Sequence, residues 1–345
     1  MRRALHVDAI VIGDGTAVRD GAIVIDGARV VDVGAASVVL PRNSGLKVDR
    51  LRGLVAPGLV NAHAHLELSA LRGATVGGQG FVPWLSSMLK AWAEIESEEG
   101  RVAEAIDREV ARCLDLGVVA VGEVTNSLGA VRAIGRALLG TIFHEHLGLD
   151  REAALVRLEA LEESRAIVVS ASKALVYAPS PHALYSTHPD LVRALVERAR
   201  EAKAPLTIHL AEHAAERAFL RDGSGPMADF VRSRLDTTFT SPGLDPIAYA
   251  ASLGLLDANA ALVHLADARA EELDRIEKTR SIVVLCPRSN LHLETKLPPL
   301  LAIRSRGLRY AIATDSLASA PSLDPLADAR ALLDRFPSVP AIELV

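Results

Sequence analysis

Only two cysteines, Cys113 and Cys286, occur in 345 residues. That is too few for a disulfide framework, and a reduced compartment is the simpler expectation. Long apolar runs are missing as well. None reaches the ~20 uninterrupted apolar residues that a membrane-spanning helix needs. The opening Met1-Arg2-Arg3-Ala4-Leu5-His6-Val7-Asp8 is basic, but Asp8 and Asp14 interrupt any signal-peptide core. A cytoplasmic protein is therefore expected. Nor is there an excess of one charge in any block. The formal net charge of -5 comes from interspersed acids and bases, which gives no reason to expect nucleic acid or an anionic membrane as a partner. Aromatic residues make up only 3% of the chain, against 50% hydrophobic and 23% charged residues. This is the composition of a soluble globular protein with ample material for a large core.

The first fifty or so residues differ from the rest. Ala9–Gly13 and Gly21–Gly27 are short β-type runs closed by the Asp-Gly turn signals at Asp14-Gly15 and Asp26-Gly27. Arg29–Gly34 pairs naturally with the second run. These segments predict a small β domain over residues 1–56, with no helical periodicity in it. From about Gly58 onward, β-type runs alternate with helical ones. Strands are predicted at Leu59–His65, Val118–Val124, Thr141–Leu147, Val168–Tyr177, Leu206–Leu210, Ala261–Leu265, Ile282–Cys286 and Tyr310–Thr314. Helical stretches such as Arg101–Leu116, Pro189–Ala202, Arg269–Thr279 and Leu323–Phe336 separate most of them. Alternation of this kind implies parallel βαβ units. About eight repeats point to a closed (β/α)₈ barrel of the TIM type over residues 57–345.

The strongest local signal is Val60-Asn61-Ala62-His63-Ala64-His65. Residues two apart on a strand share a face, so both imidazoles leave the first barrel strand in one direction. His209 ends the fifth predicted strand, His264 falls in the sixth, and Asp315 directly follows the eighth. Barrel sites are assembled at the C-terminal ends of strands, so these groups should converge. Neutral imidazoles with a carboxylate suit one divalent ion, Zn²⁺ first, with Fe²⁺ and Mn²⁺ left open.

At this point the chain resembles a known group. Leu54-Val55-Ala56-Pro57-Gly58-Leu59-Val60-Asn61-Ala62-His63-Ala64-His65 is similar to the opening motif of the amidohydrolase superfamily. His209-Leu210-Ala211-Glu212 resembles the His-x-x-Glu signature of its deaminase and chlorohydrolase branch. Leu262-Val263-His264, Cys286-Pro287-Arg288-Ser289-Asn290 and Ala313-Thr314-Asp315-Ser316 continue the likeness, which runs from about Val7 to the C-terminus. The resemblance implies a metal held by His63, His65, His209 and Asp315. It implies that His264 orients the attacking water and that Glu212 shuttles a proton to the substrate. Chemistry supports these roles. A bound ion lowers the pKa of water to ~7. Asp315 can take the released proton, and Glu212 can protonate a ring nitrogen and then help an amine leave.

A two-metal arrangement, with a modified lysine on the fourth strand, is the rival implied by other branches. Lys173 is the lysine in that region, but it lies near the start of the strand, away from the expected mouth.

Substrate contacts are expected from His182, which follows the fourth strand in Pro181-His182-Ala183-Leu184-Tyr185-Ser186, and from Glu67 and Arg72 beyond the metal pair. The stretch Gly77–Leu85 could form a lid that stacks Trp84 and Phe81 on a planar ring, or could simply pack the first helix. On the third strand, Glu145 is expected to face inward as a further substrate contact, which leaves His144 and His146 as non-ligands. His292 and Lys296 mark a loop with no identifiable ligand.

Within the branch, His65-Leu66-Glu67-Leu68-Ser69 and Phe81-x-x-Trp84-Leu85 look most like deaminases of 6-amino-6-deoxyfutalosine, an intermediate of an alternative menaquinone pathway. The resemblance thus implies hydrolytic deamination of an amino-substituted, purine-like heterocycle. S-adenosylhomocysteine/methylthioadenosine and guanine deamination, and chlorohydrolase or cyclic amide hydrolase chemistry, are the alternatives. The family's small β layer is usually closed by strands that return after the barrel, whereas this sequence stops at Ile342-Glu343-Leu344-Val345. Either the sequence is truncated or the N-terminal strands close the layer alone. An exposed sheet edge would invite association, for instance into a homodimer. A relative disabled by its short C-terminus is the non-catalytic alternative.

Overall fold

The computed structural model describes residues 2–13, 16–234, 239–256, 260–279 and 281–344. The expected Asp14-Gly15 turn lies outside the described residues. Two compact units divide the chain, Met1–Gly58 and Leu59–Val345.

In the first unit, β1 (Arg2–Val11), β2 (Ala17–Asp26) and β3 (Arg29–Ala35) form an antiparallel meander. The β2–β3 turn rests on Gly27 at φ 58°, a conformation that costs glycine no Cβ clash. β4 (Val48–Arg50) and β5 (Leu54–Val55) add in parallel to β1. One correction belongs here. The region contains a helix, Ala36–Arg42, where no helical periodicity was expected. Only Ala36 and Val39 of that helix are buried, clustered with Ala4, Ala22 and Val24. A two-turn helix with a two-residue apolar stripe leaves too little pattern to read.

The second unit alternates strands and helices. β6 (Leu59–Ala64), β7 (Val118–Thr125), β8 (Leu139–His146) and β9 (Leu175–Pro181) form one parallel sheet. β10 (Leu206–Leu210), β11 (Ala260–His264), β12 (Ile282–Leu285) and β13 (Tyr310–Ile312) form a second. Isolated parallel bridges, Ala183↔His209 and Ala64↔Asp315, connect the segments where one sheet meets the other.

The helices bury one face each. Pro189–Ala202 buries Leu191, Val192, Leu195, Val196 and Ala199, a stripe of helical period. His188 accepts the Asp190 N–H at its start, and Lys203 ends it in the left-handed conformation. Each such Leu or Val contributes about 1.5–3 kcal/mol by leaving water. The predicted strand Val168–Tyr177 is corrected in the same terms. Val168–Ala171 finish a helix, Leu161–Ala171, whose buried positions Leu161, Ser164 and Val168 recur at helical spacing. The strand begins only at Leu175, so Lys173 sits in the turn before it, at the end opposite the site. Among the described residues no helix is long and apolar enough to cross a membrane.

Candidate active site

β6 carries a register shift against β7 between Asn61 and Ala64. Opposite it stands Gly122, where a Cβ would lie 2.2 Å from the Ala62 carbonyl oxygen. The bulge aims the end of the strand and brings the His63 and His65 rings to 4.9 Å, edge to face. His209 closes in from the end of β10, with its Nε2 3.3 Å from His65 Nε2. Asp315 Oδ1 stands 3.5 Å from His65 Nε2 and 3.7 Å from His63 Nε2. Donors at ~2.0–2.1 Å from a tetrahedral ion are ~3.3 Å apart, so these spacings suit one shared cation. His63 is buried with neither ring nitrogen hydrogen-bonded, a costly state for a polar group without a ligand.

Burial holds His63 and His65 neutral, as ligation requires. It lowers the pKa of His63, and takes His65 down to about 4 with help from His63, whereas at His209 the carboxylates of Glu145, Glu212 and Asp315 outweigh burial and raise the imidazole to about 9. For Asp315, burial opposes ionisation, but the surrounding histidines, His63 foremost, hold the carboxyl well below its usual range. Its second oxygen, Oδ2, accepts hydrogen bonds from Ser289 at 2.6 Å and Ser319 at 2.7 Å. Oδ1 is thereby left to face the histidines. Asp315, Ala211, His264 and Leu265 all have φ between 48° and 75°. Strain in residues other than glycine is thus concentrated at the strand ends that make the site.

His264 is fully buried, and its Nδ1 meets Asn290 Nδ2 at 3.2 Å. Its Nε2 faces Glu212 Oε1 at 3.5 Å. Burial first, then the carboxylates of Asp315, Glu216 and Glu294, push Glu212 well above the ordinary carboxyl range, against the pull of His209. Glu212 is held from below. Its backbone N–H donates to Glu216 Oε2 at 2.9 Å, and the Glu216 carboxyl is itself raised to about 7 by burial. His213 begins the next helix, with Nδ1 accepting the Glu216 N–H at 3.0 Å and its ring stacked on Phe81 at 3.8 Å.

On β8, Glu145 lies against His209, its Oε1 3.2 Å from His209 Nδ1, while Asn126 Nδ2 donates to its Oε2 at 3.2 Å. His144 instead meets the Tyr177 hydroxyl at 2.9 Å and packs on His146. His182 stands near both Glu145 and His209, its ring bonded to Ser186 and its carbonyl to His209.

Other expected substrate contacts are occupied elsewhere. Glu67 accepts the N–H groups of Asn126, Ser127 and Gly129 and the hydroxyls of Thr125 and Ser127. Arg72 pairs with the buried Glu109 at 2.7 Å and donates to the Pro321 carbonyl. Trp84 is buried and donates to the Ala318 carbonyl at 3.0 Å. The glycine stretch packs on the helix Pro287–Glu294, with Gly78 N–H donating to His292 O at 2.7 Å. Lys296 pairs with Asp267, which also binds Arg217. Four supports, Ser289, Asn290, Ser319 and Glu216, went unread in the sequence. The first two lie in the Cys286–Asn290 segment that had already been singled out, which was their available signal.

The comparisons with known proteins follow this geometry. The model of the amidohydrolase family matches residues 54–344. The aminodeoxyfutalosine deaminase of Deinococcus radiodurans is 29% identical over 291 residues, 80% of this chain and 67% of that protein. A 5-methylthioadenosine/S-adenosylhomocysteine deaminase of Haloarcula marismortui is 31% identical over 287 residues, 81% of this chain but only 61% of the relative. This chain therefore spans about two thirds, or somewhat less, of the length of these curated relatives. Among solved structures, the aminofutalosine deaminase of Helicobacter pylori bound to methylthio-coformycin superposes with a TM-score of 0.87 at 24% identity, covering 99% of this chain and 83% of that one. With the family model matched across most of its length, the chain belongs to the amidohydrolase family.

Proposed function

We propose that this chain is a metal-dependent aminohydrolase that removes an exocyclic amino group from a purine-like heterocycle as ammonia, with 6-amino-6-deoxyfutalosine as the leading substrate. One juxtaposition carries the reading. A buried acid held above its ordinary pKa, Glu212, stands 3.5 Å from His264, beside two overlapping groups of candidate ligands, His63–His65–Asp315 and His63–His209–His264. His63, His65, His209 and Asp315 would hold the ion, Zn²⁺ by the preference of its nitrogen-rich donor set. The ion supplies the Lewis acidity that makes water a nucleophile near neutral pH. Asp315 accepts the proton that water gives up, and His264 fixes the line of attack. Glu212, protonated at rest, donates to the ring nitrogen beside the carbon under attack. That carbon becomes more electrophilic; Asp315 then passes the proton it took from water to the departing amine, and Glu212 recovers a proton from the new hydroxyl as it becomes the carbonyl. His182, beside Glu145 and His209, is the group best placed to meet the heterocycle. The bridges between the two four-stranded sheets support a closed eight-stranded barrel, which would carry all these residues at one rim.

The names of the similar proteins favour a nucleoside substrate. The test is ammonia release from metal-loaded protein on a panel of 6-amino-6-deoxyfutalosine, methylthioadenosine, S-adenosylhomocysteine and guanine, with chloride release from chlorotriazines in parallel. Turnover of an aminopurine supports the reading. Chloride release without ammonia release would replace it with a chlorohydrolase.

A further inference from the structure

His209 can ligate through Nε2 only if Nδ1 keeps its proton, and a backbone carbonyl and a buried carboxylate stand against that nitrogen. The His182 carbonyl oxygen takes the Nδ1–H hydrogen bond at 3.0 Å, and Glu145 Oε1, with no hydrogen bond of its own, lies 3.2 Å from the same nitrogen as its charge partner. A carbonyl can only accept, so Nδ1 is a donor and is not available as a ligand. The group Glu145, His182 and His209 has the spacing of a second cation site, but the proton on His209 Nδ1 excludes that use. The Glu145 side chain is 3% exposed, and Asn126 Nδ2 fixes its other oxygen at 3.2 Å. A buried, oriented carboxylate behind an imidazole sets the tautomer, locks the ring plane and makes the far nitrogen more basic.

We propose that Glu145 is a positioning residue of the metal centre, its charge reinforcing the His182 carbonyl in holding His209 in its Nδ1–H form with Nε2 turned toward His65. This rests on the four-donor site proposed above. The carboxylate acts through His209 and touches neither ion nor substrate in this role.

The experiment is competition for Zn²⁺ between a chromophoric chelator and the full chain, comparing wild type, Glu145→Gln, Glu145→Ala and His209→Ala. Thermal melting of each metal-free form accompanies it. Loss of such a supporting carboxylate weakens metal binding by about 10–100-fold. Glu145→Gln, which keeps an accepting oxygen but no charge, is expected near the lower end and Glu145→Ala near the upper. The metal-free melting temperature of Glu145→Gln should stay close to that of wild type. In ¹⁵N-histidine spectra the His209 Nδ1–H signal should move upfield in Glu145→Gln. Unchanged Zn²⁺ affinity in both Glu145 variants, with affinity lost in His209→Ala, overturns the proposal and leaves the metal site standing. Unchanged affinity in His209→Ala removes the metal site itself, and this inference with it. Two Zn²⁺ equivalents, one of them lost with Glu145, would show the second cation site instead.

Discussion

Asp315 and Glu212 are both fully buried carboxyls within one small site, yet their surroundings drive them apart. Asp315 faces histidines on one oxygen and two serine hydroxyls on the other, and is held ionised. Glu212 is buried and faces other carboxylates, and its hold on the proton is raised well above the ordinary carboxyl range. Two acids with separated affinities for the proton are what a donor-and-acceptor pair needs. Glu212→Gln is therefore expected to keep its metal while ammonia release falls by about 10²–10⁴-fold, the usual contribution of a positioned acid. Metal content and turnover measured on one preparation check this. Glu216 gives a pH prediction. Burial raises its folded pKa to about 7 from the ordinary carboxyl value of 4.5. Its stabilising share is thus complete below about pH 4.5 and is lost as pH rises through about 7, a change of roughly 3 kcal/mol. Denaturation series at several pH values should show Glu216→Gln losing less stability across that window than wild type. Equal slopes would contradict the assignment.

Among the elements, the strand ends do the positioning, and they differ in how far the sequence reveals them. His63 and His65 were legible because a two-residue period puts both on one side of β6. The bulge that aims them was not, since its sign is Gly122, one glycine in a valine-rich strand. Gly122→Ala drives a methyl group to within 2.2 Å of the Ala62 oxygen. It should cost about 1–3 kcal/mol by the usual scale of overpacking, and weaken metal retention because the bulge carries His63. Urea denaturation and metal analysis together would show both effects. The start of β9 was misplaced for a different reason. Val168-Val169 reads as strand by composition, while the burial of Leu161, Ser164 and Val168 places it on a helix. Short apolar runs carry both periods, and only packing decides between them. Glu67 and Arg72 illustrate another limit. Their position beyond the metal pair suggested a ligand, but the backbone N–H groups of residues 126–129 and the carboxylate of Glu109 occupy them. Satisfaction of buried donors is a property of the fold, invisible in a linear reading.

For the whole molecule, the order of strands and helices, and the convergence of His63, His65, His209 and Asp315, could be read because each sits beside a strong local pattern. The supports could not, because Ser289, Asn290 and Glu216 act through contacts made only once the chain is folded. The rings of His63, His65 and His209 lie 4.9–5.4 Å apart between centroids, and neither ring nitrogen of the buried His63 is hydrogen-bonded, so a shared cation would satisfy it. Binding a cation should stabilise the fold by about 4 kcal/mol at a thousandfold excess over the dissociation constant. That corresponds to a rise in melting temperature on the order of 10 °C for a unit of this size, reversed by chelation and checked by calorimetry with and without Zn²⁺.

Metal content after exhaustive dialysis, compared between wild type, His65→Ala and Asp315→Asn, tests the shared cation most directly. About one equivalent in wild type, and below roughly a tenth of that in each folded variant, is the predicted result for a closed four-donor site. Equal metal in all three proteins, or none in the wild type at any loading, would contradict it.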